Sequence, residues 1–150
     1  MWQRILIVLG RVLLAYIFII GALDKIINWS MMTEQVSAVF ADWKAYSTGI
    51  GSLETLFGML EPISTFLLVV AIALELIGGI SVLIGFRPKA GAICLILFLI
   101  PTTILFHHFW FLEGEPRQTE MINFMKNCSI LGGLMILWAA TSLQRKLKTL

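Results

Sequence analysis

The sequence predicts an all-α membrane protein: a four-transmembrane-helix bundle with an amphipathic helix in the first extracytoplasmic connection. Three observations predict it. Of 150 residues, 59% are hydrophobic and only 13% charged, where an ordinary soluble domain carries about 25% charged residues. Mean hydropathy is +0.92, and the apolar residues gather into four runs long enough to span a bilayer, about 20 residues each. The charges between the runs sort by sign. This composition excludes a soluble enzyme, a disordered chain and a secreted disulfide scaffold. A net charge of +2, scattered along the chain, gives no nucleic-acid partner. The partner that the composition demands is the lipid bilayer.

The chain reads as a single transmembrane domain over residues 1–150. The first span covers residues 5–23. Arg11 interrupts its apolar core and no A-x-A site follows, so it reads as a retained helix rather than a cleaved signal. The first connection, residues 24–61, is long. Within it Val36, Val39, Phe40, Trp43 and Tyr46 recur at helical spacing, while Glu34, Asp42 and Lys44 fall on other faces. That is an amphipathic helix, lying on the outer membrane surface or capping the bundle mouth. Gly49 and Gly51 then mark a flexible stretch. The second span is 62–86, the third 90–112 and the fourth 121–143, joined by a tight turn at Arg87-Pro88-Lys89 and by a short connection centred on Pro116. Short connections make these three helices antiparallel neighbours. Ser81 and Gly85, Ser129 and Gly133, and the pairs Gly78-Gly79 and Gly132-Gly133 offer close helix packing.

Arg4, Arg87, Lys89, Arg145, Lys146 and Lys148 lie at the two ends and in the second connection. Asp24, Glu34, Asp42, Glu54, Glu61, Glu113, Glu115 and Glu120 lie in the first and third connections. The positive-inside rule puts both termini in the cytoplasm of a multi-pass cell (inner) membrane protein.

The informative residues are polar ones within the spans. Arg11 lies about two turns into the first helix, Glu75 near the middle of the second, and Lys126 and Asn127 over a turn into the fourth. His107 and His108 lie near the outer end of the third. A charge at the bilayer centre costs roughly 2.5–3.5 kcal/mol, so these groups must pair or face a polar cavity. Placing the third connection's centre at Pro116 sets His107 and Lys126 at one depth, with Thr103 a turn below His107 and Asn123 just above Lys126. Arg11 from below and Lys126 from above reach toward Glu75. Lys25, fourteen residues from Arg11, shares its face and looks into the cavity mouth, and Trp43 and Trp110 read as interface-belt residues. His108 points off this stripe, toward the interface. Pro101 breaks the backbone ladder of the third helix and frees a carbonyl near residue 97, which helps to open a cavity. The ligand-binding or proton-relay candidates are therefore Arg11, Glu75, Thr103, His107, Asn123, Lys126 and Asn127, with Lys25 and Trp110 at the mouth.

Other chemistry has no motif to carry it. Cys94 and Cys128 sit at different depths and no C-x-x-C exists, which argues against a dithiol oxidoreductase. No phosphate loop, catalytic triad or metal-ligand spacing appears, so no metal is assigned. No cofactor is built in, and any redox chemistry would draw its electrons from a partner or a bound quinone.

Phe106-His107-His108-Phe109-Trp110, Phe124-Met125-Lys126-Asn127 and Ile130-Leu131-Gly132-Gly133 together resemble the DoxX family. So do Arg11, Phe18, Gly21 and Lys25 in the first helix, and Glu75, Gly79, Gly85 and Arg87 around the second. The resemblance covers essentially the whole chain. It implies a four-helix inner-membrane protein whose relatives are often oxidoreductase-associated, and a link to quinone or redox systems. Three functional readings stay open. One is a quinone- or small-ligand-binding subunit serving a membrane or peripheral redox partner. The second is a small-solute or proton transporter acting as a homo-oligomer. The third is a structural or assembly subunit with no ligand of its own.

Overall fold

The computed structural model describes the backbone of residues 2–147 and the side chains of residues 2–143. Arg145, Lys146 and Lys148 of the basic C-terminus lie outside the described side chains. The described residues form six α-helices: α1 (Trp2–Ile27), α2 (Trp29–Tyr46), α3 (Gly51–Leu60), α4 (Ser64–Ile84), α5 (Pro88–Phe106) and α6 (Gly114–Leu147). There is no strand among the described residues. Four helical segments are long and apolar enough to cross a membrane: α1, α3 run on into α4, α5 with the turn after it, and α6.

The connections place two elements where the apolar pattern does not. Gly51 is not part of a flexible stretch; it starts α3, which a single 3₁₀ turn at Glu61–Ile63 joins to α4. Pro62 sits in that turn, where its missing N–H leaves no bond unmade. The third apolar run continues to residue 112, but α5 stops at Phe106. His107 is its C-cap, with φ −110° and ψ 50°. Phe109–Phe111 then form a 3₁₀ turn. Pro116 is not the middle of a loop but lies in the first turn of α6, a position that suits proline.

α4 is the central helix, flanked by α1 and α5, and α6 leans on α5. The half of the bundle nearer the termini is a dry core in which Ala15, Val82, Ala92, Leu95 and Leu134 are fully buried. Here α4 and α5 approach backbone to backbone. A Cβ added at Gly78 would stand 2.8 Å from the Leu95 side chain, and one at Gly91 would stand 2.9 Å from the Gly78 carbonyl. Gly132 differs: nothing lies within 4 Å of its would-be Cβ, so it makes no close approach among the described residues.

The other half is covered by α2 and α3, which act as a lid. Val36, Phe40 and Phe57 pack against Ala22, Leu68 and Ile72. Of the two placements open to α2, lying on the membrane surface or capping the bundle, the structure adopts the cap. Trp43 is more than a belt residue, because its indole Nε1 donates to the Leu105 carbonyl at 2.9 Å. Its ring stacks on Phe57, and Tyr46 stacks on Phe111 with ring centres 4.2 Å apart. These contacts tie the lid to the end of α5.

Candidate functional site

Four of the intramembrane polar groups have partners other than those that depth counting suggests. Glu75, only 3% exposed, pairs with Lys25, whose Nζ lies 2.8 Å from Oε2. Arg11 does not reach it. Gly21 sets the level of the pair, since a Cβ there would stand 3.3 Å from Glu75 Oε1. Arg11 lies ten residues below Gly21, about 15 Å along the helix, beyond the reach of its side chain. Lys25 is only one turn above, and its stem bends back so that Nζ also donates to the Gly21 carbonyl at 3.3 Å. Phe98 supplies the apolar wall, its ring centre 5.4 Å from the ammonium.

Arg11 instead terminates α4. Its Nε donates to the Val82 carbonyl at 2.8 Å and its Nη2 to the Leu83 carbonyl at 2.7 Å. Both carbonyls belong to the last turn, where a cation offsets the negative end of the helix. Gly85 follows in the left-handed region at φ +75°, and a Cβ there would collide with the Arg11 guanidinium. Arg11 is thus held by a helix end and not by a carboxylate.

His107 pairs with Glu120 rather than with Lys126: Nδ1 lies 2.6 Å from Oε2. The reason is the early end of α5 and the early start of α6, which move the position facing His107 from 126 to 120. A carboxylate only accepts hydrogen bonds, so this contact places a proton on Nδ1 and leaves Nε2 for another partner. Lys126 is exposed on α6 and donates to Asn123 Oδ1 at 3.5 Å. Asn127 is half-buried on the same helix. Thr103 is buried and turned back on its own helix, donating to the Leu99 carbonyl at 2.6 Å. His108 bonds the Leu105 carbonyl through Nδ1 at 2.7 Å. Trp110 packs edge-on against Trp43, Phe109 and Phe124.

Two of the candidate residues meet in one cavity. Lys25 and His107 line a space of about 520 Å³ between α4, α5 and the lid. Most of the wall is apolar: Met32, Val36 and Phe40 from α2, Leu67 and Leu74 from α4, Phe98 and Leu105 from α5. Gln35 and Thr102 are the remaining polar contributors. Sequence reasoning missed both, together with Glu120. Gln35 precedes the apolar Val36 on a helix whose buried face only the docked lid defines, and Glu120 counts as a loop acid until α6 is seen to begin before it. Lined mostly by carbon with a few polar atoms, the cavity has the make-up of a site for a small apolar molecule.

A family model described as DoxX matches residues 6–108, from α1 through the two histidines. The chain belongs to the DoxX family. One relative is "Inner membrane protein YphA" of Escherichia coli (strain K12), 23% identical over 135 residues, 90% of this chain and 82% of that protein. A more partial likeness is to "ER-derived vesicles protein ERV29" of Saccharomyces cerevisiae, 34% identical over 65 residues, 43% of this chain but 21% of that one. No solved structure matches the chain. All the cavity-lining residues, Lys25 to His107, fall inside the matched DoxX segment.

Proposed function

We propose that this DoxX protein is a membrane-embedded binding subunit for a quinone-class lipid, serving a redox partner. It would lie in the inner membrane, as the Escherichia coli relative's name states of that protein, with both termini cytoplasmic. The observation that carries the reading is the 520 Å³ cavity that is apolar except for Lys25, Gln35, Thr102 and His107.

The residues fit a neutral head group carrying oxygens. Lys25 is already neutralised by Glu75, so a charged head would bring an uncompensated charge into a low-dielectric site. With one N–H on Glu75 and one on the Gly21 carbonyl, the ammonium has a third donor to offer a carbonyl oxygen. His107, held by Glu120, presents Nε2 as an acceptor for a hydroxyl, and Glu120 would steady the imidazole once it takes that proton. A bound quinone would supply carriage of two electrons coupled to protons at its two oxygens. This chain's part is to hold the head, exclude water and accept a proton at His107.

The packing favours a one-sided site over a transport path. Below Glu75 the bundle is closed by fully buried Ala15, Val82, Ala92, Leu95 and Leu134. The cavity is also complete within one chain, so this reading needs no second copy.

The test is mass spectrometry of quinones that co-purify in mild detergent. His107→Ala and the charge-neutral pair Lys25→Met/Glu75→Gln should each retain at least tenfold less quinone than the unmodified protein. Lys126→Ala should retain it fully. Equal quinone content in all of them would overturn the reading.

A further inference from the structure

We infer that the cavity is filled sideways, out of the bilayer, by a lipid with a neutral polar head and a tail long enough to stay between α4 and α5. This rests on the binding reading above and adds how the ligand enters and what shape it has.

The close packing of α4 on α5 lies at one end of the pair. They are pinned together in the half nearer the termini by Gly78 against Leu95 and by Gly91 against Ser81 and the Gly78 carbonyl. Toward the lid neither helix has a glycine to bring the backbones so close, and residues of both line the cavity there. Several residues line that space and are exposed as well: Val70 on α4, at 37%, and Leu97 on α5, at 59%, with Pro101 one turn beyond Leu97. All are apolar, and they form its rim. Leu97 lies nine residues before the end of α5, about 14 Å below it. An opening at that depth faces hydrocarbon, not water.

The opposite approach is obstructed. The Trp43 bond to the Leu105 carbonyl and the stacked Tyr46–Phe111 and Trp43–Phe57 pairs close the lid over the α5 end. A water-soluble ligand would have to break these, whereas a lipid enters past Val70 and Leu97 with its tail trailing. Pro101 assists at the rim, since it has no N–H to bond the Leu97 carbonyl and leaves an acceptor at the entrance.

The experiment compares two probes on the full chain in nanodiscs, with binding read by native mass spectrometry. One probe is a benzoquinone bearing only methyl and methoxy groups. The other is the same head with a ten-carbon tail. Leu97→Trp and Val70→Trp place bulk on exposed positions of the rim, and Ile77→Trp, at an exposed α4 position that does not line the cavity, is the control for added bulk. The tailed probe should lose at least tenfold in affinity in the two rim variants, with the tailless probe within twofold, and Ile77→Trp should leave the binding of both unchanged. Equal loss of both probes, or no loss of the tailed one, would overturn lateral entry. If neither probe binds the unmodified protein, the quinone reading fails by itself. Lateral entry is then decided by the neutral lipids that co-purify: their depletion in Leu97→Trp but not in Ile77→Trp supports it, and equal retention overturns it.

Discussion

The Lys25–Glu75 pair makes a quantitative prediction about stability. Removing one member of a buried ion pair costs about 3–5 kcal/mol, because the other charge is left without a partner. The two members are unequal here. The Glu75 side chain is 4% exposed and that of Lys25 22%. Glu75 Oε2 has no hydrogen-bond partner to fall back on, while Lys25 keeps the Gly21 carbonyl. Lys25→Met should therefore cost more, about 3–4 kcal/mol, than Glu75→Gln, about 2–3 kcal/mol. The double variant carries no unpaired charge and should be more stable than Lys25→Met alone, within about 1–2 kcal/mol of the unmodified protein. Unfolding in mixed micelles by increasing SDS, followed by far-ultraviolet circular dichroism, measures all three. A double variant as unstable as the sum of the singles would refute the pairing. So would a Glu75→Gln variant with unchanged stability.

Arg11→Met should lose about 2 kcal/mol, from two charged hydrogen bonds at a partly exposed helix end, with co-purified ligand unchanged; ligand loss without destabilisation would place Arg11 in the site instead. Gly91→Ala should cost about 1–3 kcal/mol by forcing α4 and α5 apart, while Gly132→Ala stays within about 0.5 kcal/mol, and the same micelle titration separates them. Glu120→Gln should weaken quinone binding about tenfold, equivalent to about 1.4 kcal/mol, without changing stability by as much, as titration in nanodiscs would record.

Much of the architecture was legible because it rests on composition. A helix that crosses lipid must be apolar for its whole length, so the four spans announce themselves, and a carboxylate amid such a run, as at Glu75, stands out. The partners were less legible because they depend on where helices end. Lys25 and Arg11 share a face of α1, and only the depth of Gly21 against Glu75 decides between them. The run from Ala90 to Leu112 looks continuous, yet its last aromatics fold into a 3₁₀ turn and pack on Trp43, which lifts His107 off the helix and hands it to Glu120. Thr103 and Thr102 are adjacent in sequence. The first bonds its own helix and the second faces the cavity, a distinction of about 100° on a helix whose overall rotation the sequence does not set. The lid was half legible: the apolar face of α2 was visible, but α3 lay hidden behind two glycines.

The arrangement of α6 separates two properties that most binding sites entangle. The shape of the cavity is written between positions 25 and 107, in helices that interlock and tolerate little change. The tautomer of its histidine is set from one position of α6, a helix that lends the wall no residue of its own and meets it through the Glu120–His107 contact. On the function proposed above, a substitution at 120 would change what His107 offers a ligand while leaving every residue that lines the cavity in place. Shape is held by the helices that form the wall, and the bearing of the histidine is set from behind it.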